Sequence, residues 1–313
     1  MVPRILNLLV LIGLVVVSTI SCRTTSSQLN EQNPPPIFLW ELQERETGNT
    51  KGWLLGSIHI GPAGQVRTFD KAILDTYAQS TTLAVEVDIE SQEAQLETIK
   101  ALAARGVYKG QASLRDHLSA EDYELYVTLV PKEMRLMAAK LKPWFASLML
   151  SQSLFEESKF SGDTGVDSLF IKQSRGHMPI YSLEKVSDQF AVLAEGSDAM
   201  HLQSLITTLH LKDLFREQME QLHEAYERGD DAVLLSLQET MTTSQDAKDR
   251  QDKILNKRNQ TMSDELVKLY QSNDRTFAIV GAAHLLGEDN ILKHLEKRCY
   301  VSQRVSPSGI RAP

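Results

Sequence analysis

The chain has 313 residues, of which 42% are hydrophobic and 24% charged, as expected for a globular protein with a substantial core. Its formal net charge is −8, and no dense block of Lys or Arg occurs along it, so the electrostatic footprint of a nucleic-acid-binding protein is missing. We therefore expect no nucleic-acid partner.

The N-terminus has the composition of a secretory signal peptide. Arg4 precedes an uncharged apolar run from Ile5 to about Val17, which is shorter than the roughly 20 residues that a membrane-spanning helix needs. The run ends in STISC, where a small residue precedes Cys22 as in the lipobox of a bacterial lipoprotein, although Thr19 replaces the usual aliphatic residue. We predict a signal peptide over residues 1–21 and a lipidated Cys22. An ordinary signal peptide or an uncleaved anchor is the alternative.

The residues after Cys22 suit a tether. Segment 22–36 is polar and ends in three prolines, which is typical of a flexible spacer that holds a domain away from a membrane. Lipidation would leave Cys299 as the only thiol, so no intramolecular disulfide is expected. The sequence therefore predicts a single domain over residues 37–313, lipid-anchored in a bacterial cell envelope on the extracytoplasmic or periplasmic side.

The start and the end of this domain have the pattern of an α/β sheet. Apolar runs at 37–43 and 52–59 predict a β-hairpin, 68–80 predicts an amphipathic helix and 81–89 a strand. Near the end, 275–281 predicts a strand, 286–298 a helix and 299–305 a last strand. Strands alternating with helices favour a mixed central sheet flanked by helices.

The middle of the chain, from about 91 to 273, is predicted to be a large, mainly helical insertion. Its segments have helical spacing with charged outer faces, the longest being 198–228 and 246–272. Only 177–183 has the pattern of a strand. The two ends of the chain must then meet in one sheet.

Two similar motifs stand at the ends of predicted strands. Gly56 to His59 (GSIH) and Gly281 to His284 (GAAH) each follow an apolar strand, and each has another glycine within three residues. Two such matches exceed chance only slightly, so their shared context matters more than their number. A glycine at a strand end permits a sharp turn, and the histidine then lies at the sheet edge where open α/β folds bind ligands.

Glu86 is the third candidate. A carboxylate within an apolar strand is costly unless it is paired or bound to a metal, and the alternation of LAVEVD turns it away from the larger aliphatic side chains. Two histidines and a carboxylate form a common catalytic metal set. The alternative is that His59 and His284 are ordinary hydrogen-bonded residues and that Glu86 pairs with a Lys or Arg.

The order of motifs resembles the TraB/GumN family, which includes pheromone-shutdown proteins and the Tiki proteins that cut Wnt. The matching motifs run from Phe38 to Val305: LLGSIHIG, LAVEVD, KPW at 142–144, GVD at 165–167, SLE....Q at 182–189, RN at 258–259 and VGAAHLLG. Ser57 stands where the family usually has threonine, which keeps the hydroxyl.

The resemblance implies a metal-dependent peptidase or amidase with a fold similar to that of erythromycin esterase. It implies His59, Glu86 and His284 as metal ligands or catalytic groups, with Arg258 and Asn259 close by, and a divalent Mn, Co or Zn ion as cofactor. The substrate would be a peptide or another small molecule. The alternative is a non-catalytic lipoprotein that sequesters a peptide, haem or metal.

Other motif residues have simpler explanations. Asp167 is interpreted as a first-turn charge favoured by the helix dipole, and Glu184 and Gln189 as a buried hydrogen-bonding pair or as residues lining a cleft. Adjacent residues on a helix point about 100° apart, so one division is that Arg258 holds a carboxylate or oxyanion while Asn259 binds a ligand or substrate amide. The alternative, which the two residues taken alone favour, is a solvated charge followed by an amide on the helix surface.

Overall fold

The computed structural model describes residues 34–240, 245–272 and 275–312. The predicted signal peptide, Cys22 and all but the last residues of the tether lie outside the described residues, so these predictions are untested. Among the described residues, no helix combines the length and apolar character needed to cross a membrane. All the strands and core residues described below lie between Ile37 and Ala312, so a chain starting at residue 23 keeps the whole of this fold.

The centre of the molecule is a six-stranded mixed sheet, as predicted. Strands are numbered along the chain, and the numbers β3, β4, β6 and β10 belong to two small two-stranded sheets. The six strands of the central sheet are β1 (Leu39–Glu44), β2 (Thr50–Ser57), β5 (Thr82–Val85), β7 (Ile180–Ser182), β8 (Thr276–Gly281) and β9 (Tyr300–Arg304). The spatial order is β7-β5-β8-β2-β1-β9. The predicted hairpin is the antiparallel pair β1 and β2, and β9 adds antiparallel to β1.

Four neighbouring strands, β7, β5, β8 and β2, run parallel to one another. Their carboxyl ends therefore lie at the same edge of the sheet, with Ser57 opposite Gly281 and Val85 opposite Ser182. Strands β5 and β8 are buried along their whole length because helices cover both faces of a parallel sheet.

The helices follow the predicted division into two ends and an insertion. They are α1 (Lys71–Ala78), α2 (Gln92–Ala101), α3 (Ala120–Leu129), α4 (Pro143–Glu157), α5 (Val166–Ser174), α6 (Val186–Leu193), α7 (Asp198–His210), α8 (Lys212–Glu227), α9 (Asp231–Thr240), α10 (Gln245–Ser272) and α11 (Ile291–Glu296). Helix α1 packs on β2, α5 on β5, and α10 on β8. Rings from α1, α5 and β8 meet in the core, where Tyr77, Phe170 and Phe277 lie 4.9 to 5.5 Å apart.

Three local predictions were wrong. The strand predicted over 81–89 ends at Val85, so Glu86 is the first residue beyond the strand, and the alternation of side chains within a strand does not set its orientation. The single helix predicted over 198–228 is interrupted at Leu211, whose φ of −110° and ψ of 28° lie outside the helical range. The insertion contains a second strand, β6 (Phe160–Ser161), which pairs with β3 (Gly61–Pro62) in a separate two-stranded sheet.

The C-terminus is attached to the sheet region through one buried carboxylate. Strand β10 (Arg311–Ala312) pairs with β4 (Phe69–Asp70) just before α1. Asp70 caps α1 by accepting from the Ala72 N–H at 2.8 Å and also accepts from the N–H groups of Ser308 and Gly309, at 2.9 and 3.0 Å. One side chain therefore joins the start of a helix to the end of the chain.

Replacing Asp70 by Ala is expected to lower the free energy of unfolding by about 2–4 kcal/mol, because three backbone N–H groups lose a charged acceptor. Urea unfolding at pH 7 measures this. The control is Asp75→Ala on the same helix, which removes an exposed ion pair with Lys71 worth less than about 1 kcal/mol. Equal losses in the free energy of unfolding for Asp70→Ala and Asp75→Ala would contradict the role of Asp70 as the link between α1 and the last residues of the domain.

The buried Asp70 carboxylate is also expected to make the free energy of unfolding depend on pH. Burial would raise the pKa of Asp70, but the hydrogen bonds from Ser308, Ala72 and Gly309 lower the pKa below its usual value. Because the pKa is lower in the folded than in the unfolded state, this stabilisation is complete above the usual carboxyl pKa and is lost as the pH falls through the lowered one. Asp70→Asn is expected to flatten that acid-side loss of stability.

Candidate active site

The candidate residues lie at the carboxyl edge of the four parallel strands. His59 follows β2 by two residues, Glu86 directly follows β5, Glu184 follows β7 by two residues and His284 follows β8 by three. This edge is where open α/β sheets bind ligands. Each parallel strand therefore delivers one ionisable side chain to the same place.

Gly281, the last residue of β8, marks the point where three of these side chains converge. A Cβ atom added to Gly281 would lie 3.2 Å from His59 Nε2, 3.4 Å from Glu86 Oε1 and 3.6 Å from His284 Cδ2. The Gly281 N–H also donates to Glu86 Oε1 at 2.7 Å. The missing side chain of this glycine leaves the space that the two histidines and the glutamate surround.

His59 is held by the first turn of α5. Its Nδ1 lies 2.6 Å from Asp167 Oδ2, and the Ser57 hydroxyl donates to Asp167 Oδ1 at 3.1 Å. A carboxylate only accepts hydrogen bonds, so the Nδ1 atom carries the hydrogen and Nε2 faces the space at Gly281. A Cβ on Gly165 would lie 2.3 Å from the His59 carbonyl oxygen, so only glycine allows α5 to approach this closely.

His284 is held by α10 through an amide. Its Nδ1 lies 2.6 Å from Asn259 Oδ1, and Asn259 Nδ2 donates to the Asp289 carbonyl oxygen at 2.6 Å. Because a carbonyl must accept, the orientation of the amide is fixed, and Oδ1 accepts from the Nδ1–H of His284. The unprotonated Nε2 of neutral His284 then lies 3.7 Å from Glu86 Oε1. These two acceptors are separated by a gap suited to a proton donor or a cation.

Arg258 joins the two carboxylates of the site. Its Nη2 donates to Glu86 Oε2 at 2.5 Å and to Glu184 Oε2 at 2.8 Å, and its Nε donates to both Glu184 oxygens at 3.0 and 3.1 Å. Gln189 Nε2 donates to Glu184 Oε2 at 3.1 Å. All four side chains are buried, so each carboxylate depends on the guanidinium for its charge balance.

The surroundings give the two histidines opposite proton affinities. Burial would lower the pKa of His59, but the charge and the hydrogen bond of Asp167, together with Glu86, raise that pKa above its usual value. Burial lowers the pKa of His284 to about 3, with the charges of Arg258 and His59 adding to the effect and Glu86 opposing it. At neutral pH His284 is therefore neutral, whereas His59 has the greater tendency to hold a proton.

The two charged groups beside them stay ionised. Burial would raise the pKa of Glu86, but Arg258, followed by His284 and His59 and the Gly281 N–H, lowers that pKa to about 2. Burial alone would lower the pKa of Arg258, but Glu184 and Glu86 raise it above its usual range. The site therefore holds a fixed carboxylate between a neutral and a readily protonated imidazole.

All five residues singled out from the sequence lie together. Arg258 binds carboxylates as expected, whereas Asn259 contacts His284 and the Asp289 carbonyl, so its predicted contact with a substrate amide is replaced by a positioning contact. Asp167 was missed, because the helix dipole alone explained an acidic first-turn residue. The motif GVD was the available signal, since its glycine permits the close approach that brings Asp167 to His59.

The donor set suits a divalent metal ion. Two imidazole Nε2 atoms and one carboxylate oxygen face a common space, and each Nδ1 is bound by an outer residue, as is usual for metal-ligating histidines. In the conformation of residues 34–240, 245–272 and 275–312, no three His, Cys, Asp or Glu side chains are already arranged as a metal site. To hold an ion, the three donor side chains would have to move closer together.

Comparison with known proteins gives one match. The model of the TraB/PrgY/gumN family matches residues 38–304, which is most of the chain and includes every residue of the site. No curated protein and no solved structure matches the chain. The similarity to the erythromycin esterase fold therefore remains a prediction.

Gly281→Ala is expected to weaken binding of Mn²⁺, Co²⁺ or Zn²⁺ by more than about tenfold, because the added methyl group fills the space between His59 Nε2 and Glu86 Oε1. Isothermal titration calorimetry of each ion measures this. Gly281 has φ −53° and ψ 138°, which alanine also adopts, so thermal unfolding should show a folded variant. Wild-type affinity in folded Gly281→Ala protein would contradict this location for the metal.

Proposed function

Since the chain belongs to the TraB/PrgY/gumN family, we propose that it is an extracytoplasmic, metal-dependent hydrolase that cleaves peptide or amide bonds. The observation on which this rests is the convergence of His59, His284 and Glu86 beside Gly281. These residues come from three different strands of the sheet, and a site assembled from distant segments at the carboxyl edge of parallel strands is typical of α/β enzymes.

His59 and His284 would hold the ion through their Nε2 atoms, and Glu86 through Oε1. A bound divalent ion supplies a Lewis acid that polarises a carbonyl and lowers the pKa of a bound water. Asp167 and Asn259 keep the imidazoles in the tautomer that leaves Nε2 available. Arg258 keeps Glu86 ionised and oriented, since it binds the oxygen that does not face the histidines.

The two histidines differ in how strongly their outer partners support them as ligands. Asp167 is charged and accepts from the Nδ1–H of His59, which makes the Nε2 atom of His59 a stronger donor to an ion than that of His284, whose partner Asn259 is neutral. Glu86 has a lowered pKa and two hydrogen bonds from Arg258 and Gly281, so it acts as a fixed negative charge and is a poor general base.

A second candidate, a lipoprotein that binds a peptide, haem or metal without turnover, has one observation in its favour. Both oxygens of Glu86 already accept hydrogen bonds from the protein, which is also how a purely structural carboxylate is satisfied. Stoichiometric ligand retained through purification, with no product formed, would favour this candidate over the hydrolase.

We further propose that Cys22 is lipidated and anchors the protein to the membrane of a bacterial cell envelope, with residues 23–36 as a tether. The support is the sequence STISC after an apolar run and the three prolines before the domain. The intact mass of the protein purified from membranes tests this, since an unmodified Cys22 or an uncleaved N-terminus would contradict it.

The chain from residue 23 onward is expected to cleave members of a peptide library in the presence of Mn²⁺, Co²⁺ or Zn²⁺ and to lose activity with a chelator. His59→Ala and His284→Ala are expected to reduce kcat/KM by at least about 1000-fold, because each removes a donor at the reacting centre. Mass spectrometry of the products and metal content of the purified protein are the measurements.

Two further variants test the outer residues. Asp167→Asn and Asn259→Ala leave the three donors in place and should lower metal affinity by about 10–100-fold, as removal of outer-shell partners does elsewhere. His210→Ala is the matched control, since His210 is exposed and pairs with Asp122 away from the sheet edge.

Equal activity of wild type, His59→Ala and His284→Ala would rule out the hydrolase.

A further inference from the structure

One loop projects an apolar side chain into solvent. The loop Pro131–Lys142 exposes 97% of Leu136, the highest value among the large hydrophobic residues of the described chain, and 44% of Met137. On either side, Met134 and Ala138 are buried. The loop is therefore anchored in the core at both ends of a short apolar tip.

The tip is a series of turns whose backbone donors are largely satisfied within it. Successive turns donate from Met134 N to the Pro131 carbonyl at 2.8 Å, from Met137 N to Met134 at 2.9 Å and from Lys140 N to Met137 at 2.8 Å. Backbone groups that are already hydrogen-bonded can leave water at low cost. An apolar tip of this kind can enter a weakly polar environment without unfolding.

Positive charge is concentrated around this tip. Segments 102–115 and 130–144 together contain seven Lys or Arg and one acidic residue, a net charge of +6. The stretch 116–129 between them contains four acidic residues and no Lys or Arg, so 102–144 as a whole has +2 and the remainder of the chain −10. The fold joins the two segments: Val107 bridges Leu141, the Tyr108 N–H donates to the Lys140 carbonyl at 2.7 Å, and the Lys142 N–H donates to the Gly106 carbonyl at 2.8 Å. The basic residues are Arg105, Lys109, Arg115, Lys132, Arg135, Lys140 and Lys142.

Of the four acidic residues between the two segments, one is oriented toward partners of its own. Asp122, at the start of α3, accepts from Ser119 and lies 2.7 Å from His210. At the other end of α3, Arg135 Nη2 donates to the Thr128 carbonyl at 3.0 Å, next to the tip. None of the seven basic residues has a side-chain ion pair among the described residues. Lys140 Nζ donates to the Gly110 and Ala112 carbonyls at 2.8 and 3.0 Å and Arg115 lies over the Tyr123 ring, whereas Lys132 is exposed beside the tip.

We propose that the loop Pro131–Lys142 docks on an anionic lipid surface, with Leu136 and Met137 entering the boundary between headgroups and acyl chains. The basic residues around the tip would contact the lipid phosphates. A protruding apolar tip with the exposed Lys132 and Arg135 beside it is complementary to an anionic bilayer, whereas a peptide partner would need a groove. This contact is independent of any lipid on Cys22 and of hydrolase activity, and it orients the domain on the membrane.

The first test is co-sedimentation of the chain from residue 23 onward with vesicles of phosphatidylcholine and phosphatidylglycerol at 7:3. Binding is expected, with at least about tenfold less to pure phosphatidylcholine. Leu136→Gln should weaken binding about tenfold. Lys132→Gln with Arg135→Gln should weaken it about fivefold for each charge. The matched controls, Val66→Gln and the pair Lys185→Gln with Lys297→Gln, change exposed residues elsewhere and should leave binding within about twofold.

The second test reports insertion directly. An environment-sensitive fluorophore on Leu136→Cys, in a Cys299→Ser background, is expected to shift its emission to the blue and to be quenched by lipids that carry a shallow spin label. The same fluorophore on Val66→Cys should show neither effect. Absence of binding to the anionic vesicles, or equal signals from positions 136 and 66, would overturn the proposal. Binding that survives Leu136→Gln but is lost with added acidic peptide would also overturn it, in favour of a protein partner.

Discussion

The contact on which the site most depends is the buried guanidinium of Arg258 between Glu86 and Glu184. It ties α10 to the ends of two parallel strands, β5 and β7, at the edge where the site lies. Removing one partner from such a group leaves an uncompensated buried charge, which typically costs about 3–5 kcal/mol. The geometry of the sheet edge and the placement of α10 are therefore coupled, because neither carboxylate is tolerable there without the helix.

A second constraint is that the two histidines, although they occur in similar motifs, are held by chemically different partners. Asp167 is charged and raises the proton affinity of His59, whereas Asn259 is neutral and orients His284 without adding charge. The repeated motif thus places His59 and His284 at similar positions after β2 and β8, but their different partners give the two histidines unequal proton affinities. A symmetrical pair would have placed two readily protonated imidazoles beside one carboxylate.

Much of this arrangement is predictable from the sequence. The hairpin, the later strands and the mainly helical middle follow from apolar periodicity, and the shared strand-end motifs bring His59 and His284 to one sheet edge. The addition of Arg258 and Asn259 to the site is implied by the resemblance to the TraB/GumN family. The prediction that used the alternation of side chains failed for Glu86. Strand β5 is covered on both faces, so the alternation of residues along it does not distinguish an inner from an outer face. The contact of Asp167 with His59 spans 108 positions, and the break at Leu211 has no glycine or proline to mark it, so local rules could reveal neither.

The parallel pairing of β2 with β8 has a consequence for the timing of assembly. Gly52 pairs with Thr276 and Ser57 with Gly281, so more than 200 residues must be synthesised between the two halves of this ladder. Contacts of such long range form late, since the intervening chain must first be closed into a loop. A ribosome-bound chain from which β8 has not yet emerged lacks His284 altogether. The site can therefore form only after the segment that carries β8 has been synthesised and has paired with β2.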